Sequence, residues 1–197
     1  MVGENNHILL VALLLLVSSY ALRGQDVVVS KQITNPRVTC FAQDSLGRIW
    51  IGTKHGVNRY NGYDYHQYIN GAVPGNEIND ILCDSRGNVW IGTDNGVGLY
   101  SGSSGFETCE VDSDERNVAQ VFEDDYGRIF INLTEDLCVL DTLSGKFVRA
   151  TTFFDRHFQY HQKCHIGSDS LLWVVGARGV RTFDTFTMEN VNNSPIP

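Results

Sequence analysis

The stretch DSLGRIWIGTKHGVNRY, residues 44–60, returns forty residues later as DSRGNVWIGTDNGVGLY, residues 84–100. Two such similar segments at a fixed offset indicate a repeated structural unit. Each copy opens with a turn signal, Asp-Ser-x-Gly, and continues into a run of β-branched and aromatic residues. A period near 40 residues is typical of propeller blades, solenoids and helical arrays, so the residue types have to decide among them.

Two weaker copies follow the first pair. In the third, Phe130 takes the place of the tryptophan; the fourth is centred on Trp173, with Ser170 where the other copies have their turn glycine. Aligning the copies yields a set of positions that we expect to be structural: the aspartates Asp44, Asp84 and Asp124, the turn glycines Gly47, Gly87 and Gly127, the aromatic residues Trp50, Trp90, Phe130 and Trp173, and the later glycines Gly52, Gly56, Gly92, Gly96 and Gly179.

The composition of these segments favours strands. RIWIGT, NVWIGT and RIFINL are rich in β-branched and aromatic residues and are bounded by Gly, Asp, Asn and Ser. Outside the N-terminal apolar run, no stretch shows the 3.6-residue apolar period of a substantial helix. The first copy divides into strands at 38–43, 48–53 and 56–61, with a hairpin in GYDYHQY leading to a fourth. The sequence therefore predicts an all-β protein with β-propeller blades of about 40 residues, each of four antiparallel strands.

The strand RIWIGT is apolar on both faces, whereas a sheet with one wet face would alternate. Propeller blades stack face to face, so their middle strands are shielded from water on both sides. We therefore expect the repeated tryptophan to pack between blades, because a buried aromatic contributes a large contact area. A sugar-stacking platform is the alternative interpretation of the same residue.

The repeat also sets the expected domain boundaries. We place blade 1 at 33–72, blade 2 at 73–112, a degenerate blade 3 at 113–158, blade 4 at 159–192 and the start of a truncated fifth blade at 193–197, because NNSPIP aligns with the residues before the second copy. Four blades could close a ring, since propellers have typically 4 to 8. We expect instead an incomplete ring from a larger propeller, at the start of a longer protein.

Residues 1–24 differ from the rest. The run ILLVALLLLV, residues 8–17, is unbroken and apolar, and small and polar residues follow it. It is shorter than the roughly 20 residues that a bilayer span needs, which predicts a signal peptide even though no basic residue precedes the run. An uncleaved anchor is the alternative. Both interpretations predict that the remaining chain is exported.

Charge and cysteine content narrow the possible functions. The net charge is −8 and no run of Lys or Arg occurs, which argues against a nucleic-acid partner. The chain has five cysteines, Cys40, Cys83, Cys109, Cys138 and Cys164, an odd number without a CxxC pair. This pattern indicates that they serve as small buried apolar residues and do not form a disulfide framework, although one disulfide bridge remains an open alternative.

The search for reactive groups yields one weak candidate. HFQYHQKCH contains His157, His161, Cys164 and His165, which could bind zinc, but the segment has no evident carboxylate support, and a solvated or half-buried strand is the favoured interpretation. No GxSxG motif or credible Ser/His/Asp set is present. We therefore expect no catalytic residue, no metal site and no cofactor in this chain.

Loops that differ between copies are better candidates for recognition, because a rigid scaffold holds them in place while their side chains remain free. One such loop recurs with different residues: Lys54 and His55, Asp94 and Asn95, and Ala177 and Arg178. A second group comprises Tyr63, Tyr65 and Tyr68, whose rings could stack on a sugar. The sequence does not rank these residues, and the ligand contacts stay undefined.

The pattern DSxGxxWIGTxxGVxxY resembles the two-component regulator propeller repeat, with close matches in the first two copies and partial matches in the others, from about Ile33 to the end. The resemblance implies the periplasmic, membrane-tethered sensor of a hybrid two-component system of glycan-foraging gut bacteria. In that family two seven-bladed propellers precede an immunoglobulin-like module, a membrane helix and a histidine kinase. Since the motif residues are structural in the family, no ligand contact carries over.

The resemblance also implies partners. We expect an oligosaccharide ligand, contacts with the remaining propeller blades and downstream sensor domains, and a homodimer in the full-length form. This chain carries no kinase segment, so we expect ligand sensing without catalysis here. Two other classes stay open: an exported propeller enzyme acting on polysaccharide, and a pure protein-interaction scaffold.

Overall fold

The structure is a computed structural model that describes residues 27–69, 71–102, 105–133, 136–150, 163–167, 171–176, 179–187 and 189–194. These residues form seventeen strands in four antiparallel sheets. The strands are β1 (Val27–Ser30), β2 (Val38–Gln43), β3 (Ile49–Thr53), β4 (Val57–Tyr60), β5 (Tyr65–Tyr68), β6 (Ile78–Cys83), β7 (Val89–Thr93), β8 (Gly96–Tyr100), β9 (Phe106–Cys109), β10 (Val118–Glu123), β11 (Ile129–Leu133), β12 (Leu137–Asp141), β13 (Lys146–Arg149), β14 (Lys163–Ile166), β15 (Leu171–Gly176), β16 (Gly179–Asp184) and β17 (Asn190–Ser194).

Each sheet takes its strands in chain order. The second, third and fourth sheets have the orders β6-β7-β8-β9, β10-β11-β12-β13 and β14-β15-β16-β17, and the first runs β2-β3-β4-β5 with β1 added beyond β5. The predicted all-β blade architecture is confirmed. Among the described residues there is no α-helix, and none of their segments is a helix able to cross a membrane. The predicted signal peptide, residues 1–24, lies outside the described residues.

Two predicted boundaries need correction. β1 pairs with β5, Val27 opposite Tyr68, so the first sheet begins before residue 33. Asn193 and Ser194, assigned from the sequence to a fifth blade, lie in β17, where Asn193 pairs with Arg181 of the fourth sheet. The alignment of NNSPIP with the residues before the second copy was therefore wrong at Asn193 and Ser194, because these residues belong to the fourth strand of the fourth sheet.

The sheets stack on the repeated aromatic residue of their second strand. Trp50, with 0% of its surface exposed, packs with Ile78 and Ile81 of the second sheet. Trp90, 4% exposed, packs in the same way against the third sheet, and Phe130, 1% exposed, against the fourth. The predicted position between blades is confirmed for these three residues.

Trp173 departs from that prediction. It is 40% exposed, although it occupies the same place in its sheet: it pairs with Thr182 as Trp90 pairs with Leu99. The difference arises because no described sheet covers this face of the fourth sheet. The fourth copy also has Gly167 where the first has Asp44, since the Gly167 amide bonds the Leu171 carbonyl as that of Asp44 bonds Arg48.

Candidate ligand-binding rim

The turns of each sheet fall at two opposite ends, and the two ends differ in chemistry. Because neighbouring strands are antiparallel, the β3–β4 and β7–β8 turns lie at the same end as the connectors between sheets. We call this end the polar rim and define it by the residues it contributes: Lys54, His55, Asn76, Glu77, Asp94, Asn95 and Arg116. The other end carries the Asp-Ser-x-Gly turns and hairpin tips, with large exposed apolar residues: Leu46, Tyr63, Tyr126, Leu143 and Phe186.

The threonine of each WIGT segment shapes the rim turns. Thr53 is fully buried; its Oγ1 donates to the Gly56 carbonyl at 2.9 Å and accepts the His55 amide at 3.0 Å. Thr93 repeats the arrangement, with its Oγ1 2.8 Å from the Gly96 carbonyl oxygen and 3.1 Å from the Asn95 amide nitrogen. The two side chains at the tip of each turn are therefore presented by a backbone that is fixed from below.

The connectors bind the rim turns of one sheet to the start of the next. The Gly56 amide donates to the Asn76 carbonyl at 2.7 Å, and the Gly96 amide donates to the Arg116 carbonyl at 2.7 Å. The connector before the second sheet requires a glycine in this layer, because a Cβ at Gly75 would lie 2.8 Å from the backbone nitrogen of Asn95. The rim turns and the connectors thus form one hydrogen-bonded layer.

The first two rim turns carry opposite charges, Lys54 on the first and Asp94 on the second, and Glu77 of the connector lies between them. Lys54 forms an ion pair with Glu77, each side chain being more than a third exposed. The Glu77 amide donates to Asp94 Oδ1 at 3.1 Å, and the Asp94 amide returns a bond to the Glu77 carbonyl at 3.1 Å. Asn95 is exposed, and its Nδ2 donates to the Pro74 carbonyl at 3.1 Å. The rim thus offers ammonium, carboxylate, amide and imidazole groups at neighbouring positions.

Inner strands next to the rim are joined by polar side chains. The register shifts at Thr39 and Asn79, and these bulged residues reach the next sheet: Thr39 Oγ1 donates to the Ile78 carbonyl at 2.5 Å, and Asn79 Nδ2 to the Val118 carbonyl at 3.0 Å. Asp80 Oδ2 accepts the Val121 amide at 3.0 Å. Burial raises the pKa of the Asp80 carboxyl above its usual value, against the lowering effect of the Val121 and Ile81 amides.

One glutamine of the third sheet makes two hydrogen bonds to the fourth sheet. Gln120 Oε1 accepts the Cys164 amide at 2.7 Å, and its Nε2 donates to the Cys164 carbonyl at 3.3 Å. These links fix the spacing of the inner strands and therefore the spacing of the rim turns. Sequence reasoning missed these links, because the polar residues do not share one repeat position: Thr39 and Asn79 align with Ala119. Asp80 and Gln120 align with Cys40.

The predicted recognition residues are only partly brought together. Lys54, His55, Asp94 and Asn95 lie side by side on the rim, and Ala177 and Arg178 lie outside the described residues. The tyrosines separate: Tyr68 is a core residue, Tyr63 is exposed at the opposite end, and Tyr65 lines a shallow cleft of about 390 Å³ with Lys31, Gln32, Ile33 and Pro36.

The metal candidate does not form a cluster in the described part of the chain, where no group of His, Cys, Asp and Glu could hold an ion. Cys164 is buried and packs with Phe130, whereas His165 is exposed. His157 and His161 lie outside the described residues. Burial raises the pKa of the Cys164 thiol to about 12, which disfavours the thiolate that a metal requires. All five cysteines are free, and each is buried or half-buried.

Comparison with known proteins agrees with this architecture. The family model of the two component regulator propeller matches residues 32–55 and 72–95, which are the segments that end on the first two rim turns. No curated protein matches the chain.

Solved structures share the fold. A protein described as the extracellular domain of a hybrid two component system, BT3049 from B. thetaiotaomicron, has a TM-score of 0.67 at 16% identity, over 86% of this chain and 27% of that one. The extracellular domain described as that of the one component system BT4673 from B. thetaiotaomicron scores 0.68 at 19% identity, over 85% of this chain and 27% of that one.

Virginiamycin B lyase from Staphylococcus aureus scores 0.68 at 15% identity, over 87% of this chain and 61% of the enzyme. At these identities the likeness shows the fold alone, and it includes both sensors and an enzyme. This chain spans 27% of the two extracellular domains. The four sheets have the fold of propeller blades, and the residues at 32–55 and 72–95 match the repeat of the two component regulator propeller.

Proposed function

We propose that this chain is the exported, ligand-sensing propeller segment of a two-component sensor and that its polar rim recognises an oligosaccharide. The observation that carries the proposal is the pairing of family repeats with a rim whose backbone is fixed and whose tips differ from blade to blade. Lys54 and His55 in the first blade face the same way as Asp94 and Asn95 in the second. Hydroxyl-rich ligands are bound by such mixed donors and acceptors.

Rigidity supports this assignment. Because Thr53 and Thr93 hold the turns and the connectors brace them, little conformational entropy is lost when a ligand contacts the tips. A ligand shifts a sensor from one arrangement to another only if it binds one of the two more tightly. Ligand contacts that span two blades depend on how the blades are arranged, so these contacts are the ones that can carry a signal. Export is supported by the apolar run at residues 8–17 and by the extracellular origin of the similar structures.

Screening the purified chain on an array of plant, host and microbial oligosaccharides tests the proposal. Binding is expected, and Asp94→Ala with Asn95→Ala is expected to weaken it at least tenfold. The matched control is Asp141→Ala, on a hairpin turn at the opposite end, which leaves binding unchanged. The proposal fails if no glycan binds, or if the rim variants bind as the wild type does.

The same samples separate the other classes. Chromatography of the bound glycans after long incubation reveals cleavage if the chain is a polysaccharide-degrading enzyme. The similarity to the lyase fold does not by itself imply such an activity. Absence of both binding and cleavage favours an interaction scaffold. Binding without cleavage is the result that the proposed sensing function predicts.

A further inference from the structure

One arginine lies between the first two sheets without an acidic partner. Arg59 of β4 pairs with Trp50 of β3, on the face of the first sheet that packs against the second. Three other arginines, Arg48, Arg128 and Arg149, each form an ion pair with an aspartate, whereas Arg59 forms none among the described residues. Acidic residues outnumber Lys and Arg by 23 to 15 in this chain, so a half-buried arginine without a carboxylate is unexpected.

Three aromatic rings hold the Arg59 guanidinium in place. Its central carbon lies 5.6 Å from the Trp50 ring centroid, 6.0 Å from that of Tyr68 and 5.7 Å from that of Tyr100. Nη1 donates to the Tyr100 hydroxyl at 2.5 Å, and Nε is buried. Neither Nε nor Nη2 has a hydrogen-bond acceptor in the part of the chain that the structure describes. The cation is therefore fixed in position and still has unused N–H groups.

The two tyrosines beside Arg59 supply one more donor. The hydroxyl oxygens of Tyr68 and Tyr100 lie 3.3 Å apart, and either can donate to the other. The pair carries two hydroxyl protons and the bond between them uses one, so the second has no acceptor among the described residues. Burial, followed by the bond with Tyr100, raises the pKa of the Tyr68 hydroxyl above its usual 10, so this phenol keeps its proton.

A histidine next to Arg59 responds to the same charge. His66 pairs with Arg59 across β4 and β5, so the two side chains lie on one face of the sheet. Burial lowers the pKa of the His66 imidazole below its usual 6.5, and the Arg59 charge lowers it further; Asp64 opposes this effect, and Arg48 adds to it. The imidazole is therefore neutral at pH 7 and does not compete with Arg59 for an anion.

We propose that this group, Arg59, His66, Tyr68 and Tyr100, which we call the arginine seam, binds a small ligand through an oxyanion, a carboxylate or a sulfate. The unused N–H groups and the spare hydroxyl proton are donors, and an ionised oxyanion is an acceptor only. Because the guanidinium is half-buried, its attraction for an anion is screened less than that of an exposed arginine. Because the rings already fix it, little side-chain entropy is lost on binding.

The arginine seam is separate from the polar rim. Arg59 and Tyr100 belong to the strands β4 and β8, whereas the rim consists of the turns before those strands and of the connectors. Both walls of the seam belong to the first two sheets, which pack on each other in one buried cluster. An anion at the seam and an oligosaccharide at the rim are therefore independent, and either proposal can fail alone.

Titration of the purified chain with sodium acetate, sodium sulfate and the neutral analogue acetamide tests the proposal. Sodium chloride keeps the ionic strength constant, so that screening does not change. The His66 ring resonances, assigned by their loss in His66→Gln, report binding in NMR spectra. Acetate, sulfate or both should shift them and raise the pKa of His66, because a bound anion offsets the Arg59 charge. Acetamide should do neither.

Substitutions at Arg59 show whether the seam is the site. Arg59→Leu should weaken anion binding at least about tenfold, because it removes the charged donors. Arg59→Lys keeps the charge without the planar fork and should bind more weakly than the wild type. The matched control is Arg37→Leu, which removes the same charge from an exposed position and should titrate as the wild type does. Circular dichroism confirms that each variant is folded.

Two results overturn the proposal. The first is a His66 signal that neither acetate nor sulfate shifts, which would leave the seam donors to water. The second is a response of equal size to acetamide, or an anion response that Arg59→Leu leaves unchanged, which would indicate an adventitious ion only. A response to one anion and not to the other supports the proposal and identifies the oxyanion.

Discussion

The indole Nε1 of Trp50 donates to Asp44 Oδ2 at 2.9 Å, and Trp90 donates to Asp84 Oδ2 at the same distance. Each carboxylate also accepts two amides of its own turn: Asp44 Oδ1 lies 3.0 Å from the amide nitrogens of both Leu46 and Arg48. The turn and the aromatic residue between the sheets are thereby joined through one buried carboxylate. In the third blade, which has a phenylalanine, there is no indole donor, and Asp124 Oδ2 accepts from Arg128 Nε at 2.6 Å, as Asp44 Oδ2 also accepts from Arg48 Nε at 2.7 Å.

We expect Trp90→Phe to lower the free energy of unfolding by about 1–3 kcal/mol, because it removes a hydrogen bond to a buried carboxylate oxygen and part of a buried ring. The control is Trp173→Phe: its ring is 40% exposed, and Gly167 stands at the aspartate position. That variant should change stability by less than about 0.5 kcal/mol in dilute solution. Urea unfolding measures both, and equal losses would show that the link to the aspartate has no effect.

The turn carboxylates should make the fold sensitive to acid. Burial tends to raise the pKa of the Asp84 carboxyl, but the bonds from Trp90 and Asn88 outweigh it and hold this pKa below its usual 3.8. A lowered folded-state pKa contributes stability that is complete above 3.8 and is lost as the pH falls through the folded value. The balance is the same at Asp44, where Trp50 and Arg48 donate.

Urea unfolding between about pH 6 and about pH 3 measures this dependence. Asp84→Asn should be less stable than the wild type at pH 6, with a smaller further loss towards pH 3. Asp114→Asn, at an exposed position, is the control and should keep the wild-type slope. An Asp84→Asn variant whose stability falls with pH as steeply as that of the wild type would contradict the assignment.

Close contact between sheets requires a glycine in the WIGT strand. A Cβ at Gly92 would lie 2.8 Å from Val118 Cγ1 and 3.1 Å from the Val118 carbonyl oxygen of the next sheet. Gly92→Ala should therefore cost about 1–3 kcal/mol of unfolding free energy, as overpacking does. Val175 occupies the equivalent place on the outer face of the fourth sheet, where it is 43% exposed, so Val175→Ala should change stability little. A neutral Gly92→Ala would mean that the sheets are farther apart than described.

Arg59 is an unusual residue at the first sheet interface. Its guanidinium carbon lies 5.6 Å from the Trp50 ring centroid and 5.7 Å from that of Tyr100, and its Nη1 donates to the Tyr100 hydroxyl at 2.5 Å. Its Nε is buried without an acceptor among the described residues. The cost of burying the charge thus offsets the cation–π attraction.

We expect Arg59→Leu, which copies Leu99 of the second sheet, to change the unfolding free energy by less than about 1 kcal/mol. Arg59→Glu should be far more damaging, because it places a carboxylate among aromatic rings. Thermal and urea unfolding of the two variants make the comparison. A loss of more than about 3 kcal/mol in Arg59→Leu would show that the cation is a net stabilising element.

The repeat made the blade architecture predictable, because Trp50 and Trp90 lie in strands that are apolar on both faces. The aspartate turns were also predictable: the Asp-Ser-x-Gly pattern indicated a turn, and in the structure Asp44 accepts two backbone amides of that turn. The indole bond was not, since it depends on how the strand after the turn bends back. β1 was missed because Val27–Ser30 lies before the repeat and adds a fifth strand that the other three sheets do not have among the described residues.

The prediction of burial was wrong where a residue at a repeat position lacks, among the described residues, the neighbouring sheet that covers its equivalents. Trp173 has the expected residue and register, but no sheet among the described residues covers it, and burial depends on the neighbour as much as on the residue. On the rim, the sequence identified Lys54 and Asp94 as variable tips. It could not show that Glu77, a connector residue, joins them through an ion pair and an amide bond.

The polar rim exists only if the repeated aromatic residues lie between stacked sheets. Acrylamide quenching of tryptophan fluorescence in dilute solution tests this most directly. Trp173 should be quenched in the folded chain while Trp50 and Trp90 are protected, so Trp173→Phe should remove the readily quenched emission, and urea should expose the rest. Trp50 and Trp90 that are quenched as easily in the folded Trp173→Phe chain as in urea would contradict the stacked arrangement.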